Sequence, residues 1–137
     1  MDSEVNVHAL LFADRIIVEN NGEKGLIGVF ASFSFPAFPV QAPLWYIYIA
    51  LDNIRSGKHT FTLNMVKDPS QQVVFSGSAG FENPDKAGGA ELVLPIAPLQ
   101  FPAAGWYLIS VVVDDKELKN RFLHVLVSDQ IRGKSRQ

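Results

Sequence analysis

Hydrophobic and polar residues alternate with a period of two along most of this chain, and helical spacing is scarce, which predicts strands rather than helices. The clearest case is 59–66, where Phe61, Leu63 and Met65 share one face and Thr60, Thr62 and Asn64 the other. Segments 106–113 and 122–127 are β-branched and aromatic and flank Asp114-Asp115-Lys116-Glu117. They read as a C-terminal hairpin closed by a longer loop built on a type I turn. Segment 44–51 is almost wholly apolar, too short to span a bilayer, and bounded by Pro43 and Asp52-Asn53. It reads as a central strand covered on both faces.

Further strands are expected over 5–13 and 16–19 (one long or bent strand), then over 26–33, 73–76 and 91–96. Asn20-Asn21-Gly22-Glu23 marks a turn, because Asn and Gly tolerate positive φ. Two segments break the alternation. The stretch 33–43 holds three prolines among Phe33, Phe35 and Phe38 and reads as a loop. The stretch 77–90, with Asn83-Pro84-Asp85 and Gly88-Gly89, reads as a long polar loop. Seven or eight short strands separated by Gly, Pro, Asn and Asp turns predict an all-β, two-sheet antiparallel sandwich of immunoglobulin type.

At 137 residues the chain has room for one domain, expected over 1–130, with 131–137 a flexible polar and basic tail. Cysteine is absent, which excludes thiolate catalysis and cysteine-bound metals. The net charge of −2 shows no basic stripe outside that tail, so no nucleic-acid partner is expected. The acidic start, with no basic or apolar leader, predicts a cytoplasmic protein with no membrane span. Charged residues make up 19% and apolar residues 47%, so the surface is expected to carry apolar area that asks for a partner.

In order along the chain stand Ala13-Asp14-Arg15-Ile16-Ile17-Val18, then 25–30 with Gly28-Val29-Phe30, then Phe38-Pro39 before 44–51. Gly105-Trp106-Tyr107 opens the closing segment, which runs to Val127. This order resembles a functionally uncharacterised family of small bacterial β-sandwich proteins over roughly 5–127. The resemblance implies an immunoglobulin-like sandwich and a bacterial source, and brings no catalytic residues with it. The Asp114-Asp115-Lys116 turn departs from the Gly that such hairpins often carry.

Candidate chemistry is thin. His8, His59 and His124 fall on three different strands with no metal-ligand spacing, and His59 is expected to cap one end of the core. Asp114, Asp115 and Glu117 crowd one turn, and Glu82, Asn83 and Asp85 another, without calcium-loop spacing. Ser76-Gly77-Ser78-Ala79-Gly80 lacks the pattern of a nucleophile elbow or of a phosphate loop. Asp14 beside Arg15 interrupts an apolar strand, where a bend or bulge is expected. No cofactor is expected.

Three readings follow. The first is a non-catalytic module that docks an unknown protein or a second copy of itself through a loop or a sheet edge. Its expected interface residues are Phe35, Phe38 and Pro39 of the Phe/Pro loop, with Tyr46 and Tyr48 on one face of their strand. The competing reading of the loop packs its rings over the end of the core as a plug. The second is a small-ligand or carbohydrate binder stacking on Trp45, Tyr46, Tyr48 or Trp106. An enzyme built on Asp14, His8 or His124 ranks last, since no acid–base pair is evident.

Overall fold

A computed structural model describes residues 5–84, 89–96 and 98–128. Along them run β1 (Asn6–Val18), β2 (Lys24–Phe30), β3 (Ser32–Phe35), β4 (Val40–Ala42), β5 (Trp45–Asp52) and β6 (Gly57–Asp68). After these come β7 (Gln72–Asn83), β8 (Ala90–Ile96), β9 (Leu99–Phe101), β10 (Gly105–Val113) and β11 (Lys116–Val127). The protein is all-β. One sheet has the order β2-β1-β5-β8, a second the order β3-β11-β10-β6-β7, and β4 pairs with β9 alone. The expected residues Asp85 and Gly88, and the tail 131–137, lie outside the described residues.

Among the described residues eleven strands replace the expected seven or eight. The stretch 26–33 is two strands: the chain leaves the four-stranded sheet after Phe30 and joins the five-stranded one at Ser32, parallel to β11. The Phe/Pro stretch holds β4, whose Val40 and Ala42 pair with Phe101 and Leu99. The polar loop expected from 77 is strand as far as Asn83, because the alternation of β6 continues into its partner. There Gly77 lies opposite Leu63 and Ala79 opposite Phe61.

The C-terminal hairpin also turns more tightly than expected. Val113 pairs with Lys116, and Asp114 and Asp115 both have positive φ, 49° and 67°. That is the two-residue turn whose twist matches the flanking strands. Asp tolerates the left-handed region better than most residues, since its short carboxylate can bond locally.

A single apolar cluster joins the inner faces of the two larger sheets. The four-stranded sheet contributes Phe12, Trp45, Ile47 and Ile49; the five-stranded sheet contributes Leu63, Met65, Tyr107, Ile109 and Leu123. Strand β5 lies between β1 and β8, and its inner residues are buried while Tyr46 and Tyr48 are half-buried on the other face. Among the described residues no helix is long and apolar enough to cross a membrane.

The first hairpin is bent. Lys24 pairs with Val18 at its far end, and Glu91 on β8 sits beside Ala50, which sits beside Ala9. Along a straight strand Ala9 and Val18 would be about 30 Å apart. Yet Lys24 Nζ is 2.8 Å from Glu91 Oε1, so the distal half of the hairpin turns over the outer face of the four-stranded sheet. Between these points Gly28, facing Asp14, has φ +71°, and a Cβ there would meet Asp14 Oδ2 at 2.7 Å.

Candidate binding site at the open sheet edge

The edges of the two larger sheets are protected unequally. Pro95 interrupts β8, Gly28 kinks β2, and β3 is only four residues long. Prolines, kinks and short strands are the usual guards against edge pairing. β7 is long and has no proline, and its one such guard is a bulge at Val74, since Met65 pairs with Phe75 and Val66 with Val73. It is the outermost strand of its sheet, runs for 12 residues, and has Glu82 as its one charged residue.

Parity along β7 turns Phe75, Gly77, Ala79 and Phe81 to the core side, opposite Met65, Leu63, Phe61 and His59. Gly77 and Ala79 bring little side chain over Leu63 and Phe61, which are still only 1% and 7% exposed. The result is a slot between β7 and β8, about 180 Å³ in volume, reaching Phe61, Leu63, Phe75, Leu94 and Ile96. Its walls are mostly apolar, and its mouth lies beside the edge of β7, with which no strand among the described residues pairs. The sequence signal for it was small residues at the inner parity of 75–81, which read instead as loop-formers.

At one end of β7 the ring of His59 stacks on Phe81 with centroids 5.5 Å apart. Its Nδ1 lies 2.6 Å from Asp114 Oδ2 and its Nε2 lies 2.8 Å from the Arg55 carbonyl oxygen. Two acceptors facing both ring nitrogens favour the doubly protonated ring. The hydrogen bond to Asp114 raises the His59 pKa, against burial, and the Arg55 carbonyl adds to the rise. Burial alone would raise the Asp114 pKa, but the His59 bond and the Thr60 amide hold it below its ordinary value. With both nitrogens engaged in these contacts, the ring ties β6 to the β10–β11 turn.

The other expected site residues are scattered. Phe33, Phe35 and Phe38 are half-buried and pack against the core cluster, with Phe33 edge-on to Trp45 at 5.3 Å and Phe35 at 6.2 Å from Phe101. Pro39 is exposed beside them. Trp45 is 1% exposed and is no stacking platform. Tyr48 donates its hydroxyl to Glu91; burial, then that contact, pushes its pKa up to about 12. Bonds from Lys24 and then Tyr48 hold the Glu91 carboxyl below its usual range.

Nor do the histidines converge: His8 pairs with Asp52 at 2.9 Å and His124 stacks on Trp106 at 3.8 Å. Among the described residues no group of three or more His, Asp or Glu is placed to hold a metal.

These surfaces define an all-β protein with a long open sheet edge and an apolar slot beside it. The model of a family of unknown function, DUF6941, matches residues 8–126, and the chain belongs to that family. No curated protein matches it.

Proposed function

We propose that this chain is a non-catalytic interaction module that takes an extended segment of another polypeptide along the free edge of β7. The observation that carries the reading is the slot that Gly77 and Ala79 leave open beside that edge. In strand addition, backbone hydrogen bonds supply affinity and pockets for alternate side chains supply specificity. The matching segment pairs with β7 and inserts one large aliphatic side chain. A second copy of β7 is a poorer fit. Its large inward residues, Phe75 and Phe81, already pack in their own subunit, and Gly77 and Ala79 fill nothing.

An immunoglobulin-like, two-sheet arrangement underlies this reading. It is supported by β1-β5-β8 in one sheet and β7-β6-β10-β11 in the other, with β3 parallel to the last strand. It is also supported by Tyr107, near the start of β10, whose hydroxyl donates to the Ala103 carbonyl at 2.5 Å. That contact resembles the tyrosine corner of such folds, in which a Tyr hydroxyl bonds back to the backbone a few residues upstream. The Phe/Pro loop is a weaker docking surface than β7, since its rings already pack on the core.

The test is a displayed library of random dodecapeptides, selected on the wild type and counter-selected on Ala79→Lys, which places an inward charge on the edge. Enriched peptides should carry one large aliphatic residue at a fixed place. They should slow hydrogen exchange along β7 and leave the protein monomeric. Enrichment that ignores Ala79→Lys, protection outside β7, or dimerisation through β7 would each overturn the reading.

A further inference from the structure

The opposite face of the same sheet holds a second concavity. Its volume is about 450 Å³, and its lining includes Asn64, Val66, Asp68, Gln71, Leu108, Ser110 and Glu117. Its position follows from register: Leu108 lies opposite Val66 and Ser110 opposite Asn64. The next pair along is Trp106 opposite Asp68, so Trp106 follows Leu108 at the same parity, outside the lining itself but beside the end where Asp68 lines it.

Trp106 is 48% exposed and is held from the β11 side. His124 stacks on it at 3.8 Å with 6° between the planes, and Phe122 meets it edge-on at 5.8 Å. An exposed aromatic ring fixed in this way loses little freedom when a ligand stacks on it. Two polar groups of the groove are oriented as well. Ser76 donates to Asn64 Oδ1 at 2.7 Å, which assigns the amide nitrogen as the remaining donor. Asn120 donates to Glu117 Oε2 at 2.9 Å, leaving Oε1 as an acceptor.

We propose that this groove is a binding site for a short neutral oligosaccharide, with Trp106 as the stacking platform and Asn64, Gln71, Ser110 and Glu117 as hydroxyl partners. The chemistry selects the class. Amides and a hydroxyl both donate and accept, as sugar hydroxyls do, while Val66 and Leu108 offer an apolar floor to C–H faces. The described lining has no Lys or Arg to meet a phosphate or sulfate. A linear polyamine would use Asp68 and Glu117 and leave the amides and the serine idle. The site is independent of the β7 slot, because Asn64 and Ser110 lie at the parity opposite to Leu63 and Gly77.

Cellotriose, maltotriose, xylotriose, mannotriose and tri-N-acetylchitotriose are titrated separately into the protein. Tryptophan emission and calorimetry are followed, with spermidine as the competing probe. Since Trp45 is buried and Trp106 exposed, the responsive emission belongs to Trp106. The expected result is saturable binding of at least one trisaccharide, weakened about tenfold or more by Trp106→Ala and several-fold by Asn64→Ala. Ala79→Lys leaves it unchanged. Melting curves establish that each variant is folded. A flat response to all five sugars, binding indifferent to both Trp106→Ala and Asn64→Ala, or binding of spermidine alone overturns the proposal.

Discussion

His59 Nδ1 and Asp114 Oδ2 stand 2.6 Å apart although 55 residues separate them, and through them the closing hairpin is fastened to β6. The raised His59 pKa makes this fastening pH-dependent. For a group raised in the folded state, the stability it adds is fully present below its unfolded value, near 6.5, and is lost as pH rises through the folded value. Asp114, held low, works in the opposite sense: its share is present above its ordinary value of 3.8 and is lost as pH falls through the folded value.

The first prediction follows from those signs. The wild-type melting temperature should be highest between about pH 4 and 6.5 and fall on the alkaline side, while His59→Gln should flatten that fall. Asp114 is 49% exposed at its side chain, so solvent screening limits the loss in Asp114→Asn to about 1 kcal/mol at pH 6. Equal alkaline slopes in wild type and His59→Gln would show that the ring carries no such linkage.

A second prediction concerns Tyr107. Its ring is buried, and its hydroxyl both donates to the Ala103 carbonyl and accepts from the Ala103 amide at 3.4 Å. Tyr107→Phe keeps the packing and removes both bonds, which should destabilise by about 1–2 kcal/mol in urea unfolding with the m-value unchanged. A loss below the error of the measurement would mean that water replaces the corner at no cost.

Much of this framework is legible in the sequence, and the exceptions share a physical cause. Phe61, Leu63 and Met65 announce β6 because large residues alternate with polar ones. The same face continues across β7 through Gly77 and Ala79, where the side chains are too small to register as apolar, so a strand reads as a loop. The switch of sheet at Ala31 leaves the alternation on either side intact and is equally silent. Phe35 and Phe38 read as a plug or as an interface because composition cannot say which way a ring points. The pairing of His59 with Asp114 belongs to a contact between distant segments, and neither residue's neighbours signal it.

Gly28 supplies a third prediction. Its φ of +71° is unfavourable for any residue with a Cβ, and that Cβ would lie 2.7 Å from Asp14 Oδ2. Gly28→Ala should destabilise by about 1–2 kcal/mol from the backbone alone, with a further steric loss. Adding Asp14→Ala should recover part of the steric share, although a Cβ at residue 14 stays 3.0 Å away. Its persistence leaves the double variant still below wild type. Because the bend sends Lys24 to Glu91, amide exchange in 16–18 and 24–26 should quicken in Gly28→Ala. Unchanged exchange there would detach the bend from the docking of the hairpin end.

The fourth prediction separates the stability of the β7 edge from its use. Ala79 faces the slot with Phe61 behind it, and the volume of about 180 Å³ accommodates the extra atoms of a leucine. Each methylene moved out of water contributes about 0.8 kcal/mol, and partial exposure at the slot mouth reduces the total, so Ala79→Leu should stabilise by about 1 kcal/mol. Gly77→Ala is a tighter change, since its Cβ would meet the end of the Phe75 ring at 3.3 Å; it should be close to neutral. If the open slot exists to receive a partner's side chain, Ala79→Leu gains stability and loses peptide binding together, the opposite pattern to a variant that merely unfolds. Urea unfolding and dodecapeptide titration on the same preparation decide it. A stabilised Ala79→Leu that still binds peptides at wild-type affinity would leave the slot as a packing defect with no role in recognition.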